Sequence, residues 1–309
     1  MKSENKKILV TGGCGFIGSN LVDHLISIGH EVTVIDNLSS DAHDKFYYNK
    51  AATYYEHDII NDNVVNGVIN RHKPEYVFHL AAEARIQNCI NDPVKAIKTN
   101  VLGTQNLLEG CRLFGVKRFI FSSTSAIYGL KNSPPMQETD TPDCLNAYSY
   151  SKWFSEGLCK MYSELYGVDS VCMRYFNVYG PRQPVRGSYA PVIGVFSRQK
   201  KNKEPMTIVG DGLQIRDYIH VSDVVSANIA CMKYQENLNG KIFNIGTGSS
   251  YSVLDIAKMM EGEYVHVPAR VGEARETLAD NNKAKNILGW NWTKNLREYL
   301  TQKEYEVQK

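Results

Sequence analysis

The stretch KILVTGGCGFIGSNLVDHLISIGHEVTVID, Lys7 to Asp36, decides the fold. Lys7 to Thr11 is a short, β-branched, apolar run of the kind found in strands buried on both faces. Glycines follow at 12, 15 and 18, and then Leu21, Leu25 and Ile28 recur at helical spacing until Gly29. Glu31 to Ile35 reads as a second strand, closed by Asp36. A bare GxxGxxG says little, but between a strand and a helix, with an acid ending the next strand, it has its confirming context. Glycine there lets backbone approach a pyrophosphate, and the helix N-terminus offers unpaired N–H donors. Asp36 can accept hydrogen bonds from an adenosine ribose and repels a 2′-phosphate, which favours NAD over NADP.

Outward from this unit the alternation continues. Tyr76 to Leu80, Arg118 to Ser122 and Ser170 to Tyr175 read as strands; Ala96 to Phe114 and Tyr148 to Tyr166 read as long helices. Alternating strands and helices imply right-handed crossovers and an α/β, Rossmann-type, doubly wound parallel sheet. After Asn177 the pattern changes to turn formers and cations (GPRQPVRG, Gly180 to Gly187) and shorter elements. The expected division is a dinucleotide-binding domain over 1–176, with a return segment near 220–246, and a smaller substrate lobe mainly over 177–309. Lys241 to Ile245 (KIFNI) is the candidate returning strand.

With 35 basic and 33 acidic side chains the chain carries no electrostatic footprint for nucleic acid or an anionic membrane surface. The seven cysteines, 14, 89, 111, 144, 159, 172 and 231, form no CxxC pair, so free thiols in a reducing compartment are expected and no metal site is. No apolar run approaches a membrane span, and the opening MKSENKKILVTGG lacks the core of a signal peptide; a cytoplasmic protein is expected.

The chemistry sits in two later stretches. FSSTSAIYG (Phe121 to Gly129) puts hydroxyls at the end of a strand, and AYSYSK (Ala147 to Lys152) sets Tyr148 one helical turn before Lys152. Tyrosine titrates near 10, too high for a base at neutral pH. A lysine ammonium and an oxidised nicotinamide beside it would stabilise the phenolate, and a shift of about three units, roughly 4 kcal/mol, would make it a working base. Tyr150 has Phe154, not lysine, four residues on and is read as a packing residue. The tyrosines at 47–48 and 54–55 are read as surface or core aromatics.

Taken together, TGGCGFIG, HLAA, FSSTSAIYG, YSYSK, RYFNVYGPRQ, GDGLQIRDYIHVSDV and GEARETLADNNKAKNILGW resemble the extended short-chain dehydrogenase/reductases, specifically the nucleotide-sugar 4-epimerases, over nearly the whole chain. The resemblance implies a catalytic set of Thr124, Tyr148 and Lys152. It implies NAD contacts at Gly12, Gly15, Phe16, Ile17 and Gly18, at Asp36 and Asn37, at Asp58 and Ile59, and at Leu80, Ala81 and Ala82. Asn100, Ser122, Tyr148, Lys152 and Tyr175 complete that set. Relatives that dehydrate across C5 and C6 carry threonine, aspartate and glutamate in succession where this chain reads Thr124, Ser125, Ala126; decarboxylating relatives also keep the glutamate. Abstracting a C5 proton or expelling water needs an acid–base group. With both acids missing, oxidation and reduction at one carbon remains: NAD-dependent inversion at C4 through a 4-keto sugar, with NAD regenerated each cycle and kept bound.

For the UDP-sugar the same resemblance implies Asn177 at the diphosphate, Arg216 and Arg270 at diphosphate or ribose, Glu273 at a ribose hydroxyl, and Val209, Ser188 and Tyr189 at uracil. Thr124 and Tyr148 face the sugar. Thr277 is small where a tyrosine in the family shrinks the pocket, so N-acetylated sugars are admitted besides glucose and galactose. Ala84 stands where some relatives have lysine, and Arg85 faces either cofactor or sugar. The alternatives are a UDP-glucuronate 4-epimerase, a net oxidoreductase or a non-catalytic NAD-binding scaffold. Relatives imply a homodimer through the two long helices, 96–114 and 148–166.

Overall fold

Alternation along the first strand shows how the sheet is covered. In the computed structural model β1 (Lys7–Thr11) sends Ile8 and Val10 to one face and Leu9 to the other, all buried. The structure describes residues 5–40, 45–186, 190–268, 275–303 and 305. After β1 come α1 (Phe16–Ser27), β2 (Glu31–Asp36), β3 (Thr53–Glu56), α2 (Asp62–His72) and β4 (Tyr76–His79). Then follow α3 (Ile86–Asn91), α4 (Pro93–Ile97), a π-helical turn (Lys98–Leu102), α5 (Gly103–Phe114), β5 (Arg118–Thr124), α6 (Ala147–Tyr166) and β6 (Ser170–Tyr175). The helix expected over 96–114 is thus three pieces: it starts earlier, at Pro93, and widens at Asn100.

The second half contributes β7 (Asn177–Tyr179), α7 (Val192–Lys201), β8 (Met206–Val209), β9 (Ile215–His220), α8 (Val221–Lys233) and β10 (Lys241–Ile245). It continues with β11 (Ser250–Ser252), α9 (Val253–Met260), β12 (Tyr264–Val267), β13 (Glu276–Thr277), α10 (Asn282–Leu288) and α11 (Leu296–Thr301). Seven strands form one parallel sheet in the order β10-β6-β5-β4-β1-β2-β3. The chain winds outward from β1 to β3, then crosses to β4 on the other side of β1. Ligands of such sheets bind at the carboxyl ends of the strands flanking that reversal. The fold is the Rossmann-type doubly wound sheet expected, and Lys241–Ile245 occupies its edge beside β6.

One face of the sheet packs α1 and α8 through Leu21, Leu25 and Val224; the other packs α2, α5 and α6 through Val65, Leu107 and Leu158. Each fully buried large aliphatic side chain there contributes roughly 1.5–3 kcal/mol. A third cluster, with Tyr179, Phe196, Ile208 and Ile256, forms the core of the smaller lobe. In that lobe β9 pairs with β7, β11 and β13, and β8 pairs with β12. The register sets Asn177 opposite Tyr218 and Thr277 opposite Arg216.

Candidate active site

A cleft of about 310 Å³ opens at the carboxyl ends of β1, β2, β4 and β5. Its floor is the glycine turn. Gly12 has φ +70°, and a Cβ there would stand 2.6 Å from the Ala81 nitrogen; a Cβ on Gly18 would stand 2.1 Å from the Gly12 carbonyl oxygen. Both glycines are therefore dictated by close backbone packing, which leaves the turn flat enough for a ligand to lie against it. No side chain caps α1 at Gly15, so its first-turn N–H groups face the cleft. Asp36 is held by two backbone donors, Cys14 N–H to Oδ2 and Leu38 N–H to Oδ1, each 2.9 Å. Asn37 donates to Asp58 Oδ2 at 2.9 Å, joining the ends of β2 and β3. Gly15, Phe16, Ile17, Asp36, Asn37, Asp58, Ile59 and the small Leu80-Ala81-Ala82 segment all line this cleft, as do Ser122, Tyr148, Lys152 and Tyr175. The donor set suits a dinucleotide.

Tyr148 and Lys152 reach the cleft because α6 starts at a capping box, Asn146 with Ser149, that fixes where the first turn begins. Lys152 is buried, donates Nζ–H to the Ser122 carbonyl at 2.8 Å and lies 4.8 Å above the Phe121 ring. Burial holds its ammonium down to about 8, against the pull of Cys89, Cys159, Cys172 and Glu156. Tyr148 is pushed up to about 12 by burial, opposed by a hydrogen bond with Thr124. The polypeptide alone therefore keeps Tyr148 protonated. The expected lowering joins the lysine to the charge of an oxidised nicotinamide, and the polypeptide by itself supplies only the first of these. Thr124 Oγ1 also accepts from Ala126 N–H at 3.1 Å. Beneath the site Glu156 accepts from Ser123 at 2.5 Å and from Arg174 Nε and Nη2 at 2.9 and 2.7 Å, a buried fork that ties α6 to β5 and β6.

A second cavity, of about 660 Å³, adjoins the cleft; Ala84, Tyr148, Tyr175, Ala190 and Pro191 line both. Thr124, Ser125, Ala126 and Asn146 form its wall on the sheet side, and Asn177, Val209, Arg216 and Thr277 its wall in the smaller lobe. Among the described residues lining it there is no carboxylate, and Arg216 is its single cation. Asn177 Nδ2 donates to the Asp217 carbonyl at 2.9 Å, and Arg216 Nη1 to the Ile215 carbonyl at 2.8 Å. Thr277 Oγ1 is buried without a hydrogen-bond partner among the described residues.

The model of the NAD dependent epimerase/dehydratase family matches residues 8–246. The chain belongs to this family. A putative UDP-glucose 4-epimerase of Methanocaldococcus jannaschii is 38% identical over 299 residues, covering 94% of this chain and 95% of that one. The solved UDP-glucose 4-epimerase of Thermotoga maritima, with UDP-glucose, superposes with TM-score 0.90 at 39% identity, covering 97% and 98% of the two chains. The UDP-N-acetylglucosamine 4-epimerase of Methanobrevibacter ruminantium, in complex with UDP-N-acetylmuramic acid, does so with TM-score 0.90 at 31% identity, covering 98% of each. NAD is the cofactor of the family, and the glycine turn and Asp36 fit it.

One residue expected at the cofactor sits behind the cleft wall. Asn100 does not line the cleft; it is buried behind it, accepting from Glu83 N–H at 2.7 Å and donating to the Glu83 carbonyl and to Ser151 Oγ. The π-turn frees the Asn100 carbonyl, which accepts from Thr104 at 2.5 Å and Ser155 at 2.9 Å. His79, which sequence reading passed over, completes this wall. Thr104 donates to Asn100, so His79 Nε2–H donates to Thr104, and His79 Nδ1 accepts from Thr11, whose Oγ1 accepts from Ala81 N–H. Burial keeps that imidazole neutral, well below its usual range. Arg85 lines the cleft, not the second cavity. Phe46 and Pro184 also line the cleft and carry no local signal in the sequence. Ser188, Tyr189, Arg270 and Glu273 lie outside the described residues. All seven cysteines are free, six of them buried. No described helix is long and apolar enough to cross a membrane.

Proposed function

We propose that the protein inverts C4 of a UDP-hexose, UDP-glucose/UDP-galactose and also UDP-GlcNAc/UDP-GalNAc, through a transient 4-keto sugar, with NAD held throughout. The observation that carries this reading is the junction of the two cavities at Tyr148, with Thr124 beside it. NAD, when bound, supplies the hydride acceptor and returns the hydride within the same turnover. The residues that would hold it are Gly12 to Gly18 at the pyrophosphate, Asp36 at the adenosine ribose, and Lys152 and Tyr175 at the nicotinamide end.

With the positive charges of Lys152 and an oxidised nicotinamide beside it favouring the phenolate, Tyr148 Oη would take the proton of the 4-OH and give it back. Thr124 Oγ1, hydrogen-bonded to Tyr148, steadies that proton. Lys152 fixes the end of β5 through the Ser122 carbonyl and adds positive charge near the phenol. Asn177 and Arg216 grip the diphosphate, so that the sugar turns while the nucleotide stays. The cavity wall of Ser125, Ala126 and Ala84 offers no group to abstract a C5 proton or expel water, which supports epimerisation over elimination. Thr277, small and facing the sugar cavity, leaves room for an N-acetyl group.

The protein would act as a homodimer in the cytoplasm, where its free thiols stay reduced. Ile90 on α3, Val94 and Ile97 on α4, and Tyr150, Trp153 and Phe154 on α6 are large, apolar and exposed, as a subunit interface requires. Sedimentation should give twice the mass of 34.9 kDa, and Trp153→Glu should give the monomer. Proton NMR with UDP-glucose, UDP-GlcNAc and UDP-glucuronate, without added NAD, tests the chemistry. Appearance of the 4-epimer of a hexose supports the reading; conversion of the uronate alone, or of none even with NAD, overturns it.

A further inference from the structure

Neither Asp23 nor Arg182 lines the cofactor cleft or the sugar cavity, yet both are placed to decide whether the cleft can open. After β7 the chain turns at Gly180, φ +133°, where a Cβ would press on the His220 ring at 2.9 Å, and runs as a strap over 180–186. Pro184 of this strap lines the cofactor cleft. Arg182 adopts φ +71°, a left-handed conformation that costs a non-glycine residue energy, which the contacts around it offset.

Those contacts all run to the dinucleotide-binding unit. Arg182 Nη2 meets Asp23 Oδ2 at 2.5 Å, and its guanidinium stacks 4.9 Å from the Tyr47 ring centre. Asp23 Oδ1 accepts from Asn49 Nδ2 at 2.7 Å, so the carboxylate is oriented from its other side. One turn earlier on α1, Asn20 Nδ2 donates to the Pro181 carbonyl at 3.1 Å. Phe16, Asn20 and Asp23 share one face of α1: the first lines the cleft and the other two hold the strap. Tyr47 N–H donates to the Cys14 carbonyl at 3.2 Å, tying the far side of the guanidinium to the glycine turn, and its neighbour Phe46 lines the cleft. From above, α7 lies so close that a Cβ on Gly194 would stand 2.2 Å from the Pro184 oxygen.

We propose that Asp23 and Arg182 form a latch that sets the rate at which NAD leaves, by holding the 180–186 strap over the cofactor cleft while touching neither cofactor nor sugar. They are positioning residues, and the proposal rests on that cleft taking NAD. A dinucleotide lying between the glycine turn and Pro184 escapes when the strap lifts, and lifting breaks the ion pair and the stacking together. With Arg182 22% and Asp23 39% exposed, the latch slows release rather than forbidding it.

The test is the NAD dissociation rate of the purified full-length protein, measured by displacement with excess labelled NAD. Arg182→Asn preserves the left-handed backbone, which asparagine tolerates, and removes the guanidinium; Asp23→Ala removes the other half. Arg182→Asn is expected to speed NAD release roughly tenfold, the scale of one partly exposed ion pair with a cation–π contact, and Asp23→Ala by a smaller factor because the stacking on Tyr47 remains. The double variant should be no faster than Arg182→Asn alone, because that variant already loses the contact Asp23→Ala removes as well as the stacking on Tyr47. Turnover at saturating NAD and UDP binding should stay within about twofold of wild type, a pattern that general loosening of the fold would not give. Release rates unchanged in both singles, or effects that multiply in the double, overturn the latch. If Arg182→Asn fails to fold, Asp23→Ala and Tyr47→Leu each remove one of its two contacts, each should speed NAD release, and unchanged release in both overturns the latch. A wild-type protein that binds no NAD would sink the cofactor reading itself; normal binding with unaltered release sinks the latch alone.

Discussion

The cofactor cleft and the sugar cavity share Tyr148, but they are made of different material. The cleft is built mainly of backbone at the ends of long parallel strands: a glycine turn, a helix N-terminus and a row of alanines after β4. Its shape is set by close main-chain packing, which few substitutions can adjust without collapse. The cavity is built of side chains from short elements, β7, β8, β9 and β13, brought side by side by register. Replacing one of those side chains changes what fits while the sheet beneath it stays intact. On the proposed function the first region specifies the cofactor and the second the substrate, and the two can vary separately.

The sharpest way to break that separation is at the shared residue. Tyr148→Phe should lower turnover by roughly 10³-fold, within the range expected for losing an acid–base group, while calorimetry still registers both NAD and UDP-sugar binding. A variant that turned over normally would remove Tyr148 from the chemistry. On the cofactor side, Gly18→Ala places a methyl group against the Gly12 carbonyl and should weaken NAD binding about 10- to 100-fold, with UDP binding unchanged. On the sugar side the mirror experiment is Arg216→Ala, which should raise the UDP-sugar KM about 10- to 100-fold and leave NAD retention as it was. If either variant weakened both ligands equally, the two regions would not be independent. Thr277→Tyr sharpens the contrast within the cavity: epimerisation of UDP-GlcNAc should fall about tenfold or more relative to UDP-glucose.

The smallest effect concerns the wall behind the cleft. His79 is held well below its usual range and His220 down to about 4, both by burial, against an unfolded value near 6.5. Below pH 6.5 the unfolded chain binds protons that the folded one refuses, so stability falls on acidification. Each group contributes up to about 1.4 kcal/mol per pH unit in that window. Urea titrations at pH 7 and pH 5 should show the loss, and His79→Gln should lessen it. An equal loss in that variant would mean that His79 is not a source of the acid sensitivity.

Much of the cleft was legible because its signals are local. Glycine spacing between a strand and a helix, Asp36 at the end of β2, and tyrosine and lysine one turn apart are all read within a few residues of one another. The setting of Asn100 was not legible, because a π-turn is invisible in helical periodicity: its side chain bonds Glu83 and Ser151 and does not line the cleft. His79 gave no signal for a similar reason. A lone histidine at the end of an apolar strand acquires its tautomer only from hydroxyls on two other elements, Thr11 and Thr104.

By itself the sequence determined the sheet, its winding, the dinucleotide turn and the pairing of Tyr148 with Lys152 one helical turn apart, since each depends on neighbours along the chain. Tertiary structure decided how those side chains stand electrostatically and what encloses them. Burial lifts Tyr148 to about 12 and lowers Lys152 to about 8, and Asp23 meets Arg182 from 159 positions away. Desolvation and long-range pairing depend on what surrounds a group in space, and no pattern along one chain encodes that directly.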